Sequence, residues 1–68
     1  AMSNIQAVLF ERGLWTTQMA REWLQRNNIR PKKAVHQTAR YLRYRIREPS
    51  GRMRIMAVAP GIKFILMY

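Results

Sequence analysis

The residues best suited to chemistry are arginines set two apart. Arg43, Arg45 and Arg47 are followed, after Pro49-Ser50-Gly51, by Arg52 and Arg54, all within RYLRYRIREPSGRMR from Arg40 to Arg54. On an extended chain alternate side chains share a face and stand roughly 6.6 Å apart. A guanidinium stays charged at any working pH and meets phosphate oxygens through paired N–H donors. The chemistry on offer is therefore the binding of a polyanion. Tyr41 stands among these arginines, placed either to stack on an unpaired base or to cover an arginine stem. Lys32 and Lys33 add charge just upstream, and His36 nearby is either another phosphate contact or a plain surface side chain, the latter being the simpler reading.

Other chemistries are poorly supplied. Three glutamates, no aspartate, one histidine and no cysteine leave few acids, bases or nucleophiles, and there is no glycine-rich phosphate loop. Neither a disulfide framework nor a thiolate zinc site can be built, and one histidine holds no metal alone. We expect no catalytic residues, no cofactor and no metal. Thirteen Lys and Arg against three acids give a formal charge of +10. That imbalance opposes compaction and favours polyanions, with nucleic acid first and an anionic membrane surface or an acidic protein behind it. The longest apolar run, Phe64 to Tyr68, is too short to cross a bilayer, and no signal peptide is visible, so a soluble protein that is not secreted through a signal peptide is expected.

These residues need a scaffold, and 68 residues supply one small domain near the lower limit of independent folding. Ala1 before Met2 reads as a residue added for expression, leaving 2–68 as a single basic domain. Asn4 to Phe10 is apolar on both alternating faces and predicts a short strand covered on both sides; Glu11-Arg12-Gly13 then turns the chain. Trp15 to Asn28 has helical periodicity, with Met19, Ala20, Trp23 and Leu24 on one stripe, Thr16 as N-cap and Asn27 or Asn28 as the stop. Apolar residues at that spacing read as core rather than as a ligand slot. Ala34 to Ala39 approaches or begins a strand, and Tyr41 to Arg47 forms one with Leu42, Tyr44 and Ile46 facing one way and the arginines the other.

Glu48-Pro49-Ser50-Gly51 has hairpin chemistry. Beyond it, Arg52 to Val58 reads as a strand with Arg52, Arg54, Met56 and Val58 on one face and Met53, Ile55 and Ala57 on the other. Ala59-Pro60-Gly61 turns into a final strand, Ile62 to Tyr68. The fold class is α+β, one helix packed on a small, mainly antiparallel sheet in the order β-α-β-β-β, the last three strands forming a meander. One helix covers one face of such a sheet, so the other face is left for solvent or a ligand. The hairpin would set Arg52 and Arg54 beside the first arginine row, whereas a one-residue slip in register would turn them to the opposite face.

The motifs AVLF, WTTQMAREWL, YLRYRIREPSG and PGIKFILMY together resemble a short module of large DNA viruses and phages. Its pattern is an apolar strand, W/F-T-x-x-x-A-x-x-W-L, Y-x-R-F/Y-R-x-x-x-P, and G-I-K before a last apolar strand. Trp15, Thr16, Ala20, Trp23 and Leu24 match the helix, Tyr41, Arg43 and Arg45 the basic strand, and Gly61, Ile62 and Lys63 the last turn. The resemblance implies a viral or phage origin and a virion or genome-packaging role, and it brings no established activity with it. Met56 to Val58 and Met67-Tyr68 are more apolar than the pattern, which favours a protein contact there over a polyanion contact.

The expectation is thus a sequence-independent nucleic-acid-binding protein, DNA before RNA, contacting phosphates through Arg43, Arg45, Arg47, Arg52 and Arg54 with Lys32, Lys33 and Tyr41. The competing expectation is a homo-oligomeric structural or minor virion protein joined through the open edge of the C-terminal strand. A module for an acidic protein stands behind both.

Overall fold

The computed structural model describes residues 4–68; the Ala1–Met2 junction, and with it the start of the expected domain, lies outside them. Five strands and one helix follow in the order β1 (Ile5–Glu11), α1 (Thr17–Arg26), β2 (His36–Gln37), β3 (Tyr41–Arg45), β4 (Met53–Ala59) and β5 (Ile62–Met67). The α+β class is as the sequence implies: one helix on an antiparallel sheet, with a two-residue strand added ahead of the basic one.

The order across the sheet is β2-β3-β1-β5-β4. β1 takes the centre because it is apolar on both sides: Ile5 through Phe10 are all buried. Such a strand loses least by having a neighbour on each edge, and it pairs antiparallel with β3 and with β5. This overturns the expected meander. β3 and β4 are not neighbours, and the Pro49-Ser50-Gly51 stretch is a connector that passes the ends of β1 and β5, a span of roughly 14 Å over three inter-strand steps. Gly51, at φ 67°, shapes this connector. The second turn is as expected, since Pro60-Gly61 closes the β4–β5 hairpin with Gly61 at φ 74°, as the third position of a type II turn requires.

The helix begins where its cap chemistry says it should. Thr16 accepts a hydrogen bond from the Met19 N–H (3.2 Å), and Asn27 closes the other end, followed by Asn28 at φ 58°. Ala20 and Leu24 are buried and Trp23 is half-buried, but Met19 is 44% exposed and does not belong to the core stripe expected of it. The core lies between α1 and one sheet face, where Phe10 sits at the centre of an aromatic cluster with Trp15, Trp23 and Tyr44. The Tyr44 hydroxyl donates to the Thr17 carbonyl (3.4 Å), and burial pushes its pKa up against a smaller opposing pull from Arg21.

Candidate nucleic-acid interface

The face of the sheet away from α1 is built by register. Residues directly opposite in an antiparallel ladder share a face. Val8, Phe10, Leu42, Tyr44, Ile62 and Phe64 point to the helix, so Ala7, Leu9, Tyr41, Arg43, Arg45, Lys63 and Ile65 point the other way. His36 joins them, since it pairs with Arg43 from the edge strand β2. A register shift between Ile5 and Ala7 marks a bulge at Gln6. Its buried side chain donates from Nε2 to the Arg47 carbonyl (3.0 Å) and accepts from the Arg43 guanidinium (3.4 Å).

Arg43 and Lys63 flank Leu9 on neighbouring strands, so their backbones stand about 9.6 Å apart across β1. Tyr41 bridges toward Lys63: the ammonium donates to the Tyr41 hydroxyl (3.0 Å) and lies 5.5 Å from the ring centroid. That hydrogen bond is the main reason the Lys63 pKa is raised, with the Tyr41 and Glu11 charges adding to it. Leu9 is buried although none of the described residues forms a second layer over this face, because the long side chains beside it close over β1. Two carboxylates bracket the basic area: Glu11, opposite Tyr41, and Glu48, which reaches Arg45 at 3.8 Å on the surface. So loose and exposed an ion pair holds Arg45 only weakly.

The expected site residues divide. Tyr41, Arg43 and Arg45 lie together on the open face. Arg47 follows β3, half-buried, and its Nε is buried without a hydrogen-bond partner. Lys32 and Lys33 are exposed on the connector that runs beside β3, where the Lys32 N–H donates to the Arg45 carbonyl (2.8 Å). Arg52 and Arg54 do not continue this area. They lie at the far edge of the sheet, and because Arg54 pairs with Leu66 they face the helix side. The inferred β3–β4 hairpin fails, and with it the shared basic surface.

Lys63 was the residue that sequence reasoning missed. It is the lone charge in an apolar strand, IKFILM, and its alternation with Ile62 and Phe64 could have assigned it to the face opposite the core. The open face also changes character across its width. Beyond Lys63 it becomes apolar, through Ile65 and Met67 on β5 and Met53, Ile55 and Ala57 on β4. Among the described residues no helix is long and apolar enough to cross a membrane. No protein-family model, curated protein or solved structure matches the chain.

Proposed function

We propose that this chain is a nucleic-acid-binding protein that holds phosphate backbones without reading base sequence. Arg43, Arg45 and Lys63 on the open sheet face make the contacts, with Lys32, Lys33 and Arg47 at the margin. The observation that carries this reading is the pair Arg43 and Lys63 set on either side of buried Leu9, cations on the two strands that flank β1, with none of the described residues layered over the face between them. Double-stranded DNA is the preferred substrate. The aromatic residue on this part of the face, Tyr41, is engaged by Lys63 and so is poorly placed to stack on an unpaired base. Among the described residues no helix or strand projects from the open sheet face to enter a groove, which favours backbone contact over base reading. The likeness of WTTQMAREWL, YLRYR and GIK to modules of large DNA viruses and phages supports a use in organising or packaging viral DNA.

These six cations, each meeting one phosphate, give a slope of log K against log salt of roughly −5 to −6 on duplex DNA. Fluorescence anisotropy with a mixed-sequence duplex, a single strand and an RNA duplex across a salt series tests the proposal. A slope in that range, with equal affinity for unrelated duplex sequences, is the expected result; a flat salt response would overturn it. Stronger binding to an acidic peptide than to any nucleic acid would assign the same surface to a protein partner instead.

A further inference from the structure

We propose that β4 is a self-association edge, at which two copies of this chain pair antiparallel, β4 against β4, about a twofold axis at Ile55. The competing expectation for a contact edge was the C-terminal strand, but β5 is flanked by β1 and β4 and has no free edge to offer. The free edges are β2, a two-residue polar strand, and β4, which runs Met53–Ala59.

β4 carries apolar side chains on both faces. Met53, Ile55 and Ala57 point to the open side, and Met56 points to the helix side. Ile55 is 63% exposed and Met53 47%. A partner laid on one face would leave the other wet, whereas a strand added alongside flanks both. The backbone is in phase for such an addition. Arg52 and Tyr68 exchange both of their backbone hydrogen bonds (3.3 and 2.9 Å). In an antiparallel ladder Arg54 and Met56 then continue to bond β5, and Met53, Ile55 and Ala57 turn their N–H and C=O groups outward.

Charge placement selects the partner. With the twofold at Ile55, Ile55 meets its own copy, Met53 meets Ala57, and Arg54 lies opposite Met56. No arginine faces an arginine, whereas a parallel pairing or a twofold at Arg54 would set Arg54 against Arg54. An acidic strand fits less well, because Ile55 to Val58 offers it no cation. The shift between Ala57 and Ala59 bulges the strand at Val58 and limits the pairing to the segment before it.

The interface is small, so a dissociation constant on the order of 10 µM is expected. Two copies of charge +10 repel, so salt strengthens this association while it weakens polyanion binding. The proposal therefore stands or falls separately from the nucleic-acid reading.

Sedimentation velocity from about 1 to 500 µM protein should show a monomer passing to a dimer, with the midpoint falling as NaCl rises from about 50 to 500 mM. Ile55→Pro removes an outward N–H and spares the β4–β5 ladder, so it should stay folded by circular dichroism and remain monomeric. A second readout is independent of proline. The described residues hold no cysteine, so Ile55→Cys under mild oxidation should yield a covalent dimer, the paired Cα atoms lying about 5.5 Å apart. Met53→Cys should stay unlinked, its own copy lying roughly 14 Å away. A wild-type chain that stays monomeric to about 500 µM, a dimer that survives Ile55→Pro, or equal cross-linking of the two cysteine variants would each overturn the assignment.

Discussion

Lys63 holds its place through one hydrogen bond, to the Tyr41 hydroxyl, which leaves its remaining donors for other partners. Arg43 is held more loosely, by Gln6 at 3.4 Å, and Gln6 is itself fixed by the Arg47 carbonyl. Removing one such cation should cost one phosphate contact. Lys63→Ala is expected to lower duplex affinity by about 3- to 10-fold near 0.1 M salt and to reduce the salt slope by roughly one, read by anisotropy. The reverse applies to Glu48. On the proposed function its carboxylate would compete with phosphate for Arg45, so Glu48→Gln should raise affinity by about 2- to 3-fold at low salt and leave stability nearly unchanged, because the pair is exposed and long. Thermal melts alongside the binding curves check both halves of that statement.

The elements hold by local chemistry that can be tested one position at a time. A Cβ at Gly61 would lie 2.8 Å from the Trp15 Nε1, and the backbone there sits at φ 74°. Gly61→Ala should therefore destabilise by about 2 kcal/mol, from conformational strain together with displacement of Trp15, seen as a lower melting temperature. The raised pKa values of Tyr44 and Lys63 give a pH dependence of fixed sign. In each case the folded state binds its proton more tightly than the unfolded state. That stability is fully present below the ordinary values of 10.0 and 10.5 and is lost as pH rises through the higher folded values. Stability should thus fall above about pH 10, and less steeply in Tyr44→Phe. Thr16, Asn27 and the Pro60-Gly61 turn were legible in the sequence for the same reason that they are testable singly: each acts within a few residues of itself.

Strand pairing is a property of the whole molecule, and there the sequence misleads. Pro49-Ser50-Gly51 has the composition of a hairpin turn, but the central place of β1 forces β3 and β5 onto its two edges and leaves β4 outside β5. The clue was present in Ile5 to Phe10, apolar on both faces, because a strand buried on both sides belongs inside a sheet. One consequence is that the run from Arg40 to Arg54 separates into two surfaces. Tyr41, Arg43 and Arg45 face away from the helix; Arg52 and Arg54 lie three strands distant and on the helix side. Lys63, distant in sequence from Arg43, comes beside it instead.

This separation allows a comparison at constant charge. Arg43→Glu with Arg45→Glu, and Arg52→Glu with Arg54→Glu, each lower the formal charge of +10 by four, so any general electrostatic loss is shared. Duplex DNA affinity, measured below about 1 µM protein at about 0.1 M salt, then reports position alone. The open-face assignment predicts a loss of about 100-fold or more for the first variant and less than about 5-fold for the second. Equal losses in the two variants would contradict it.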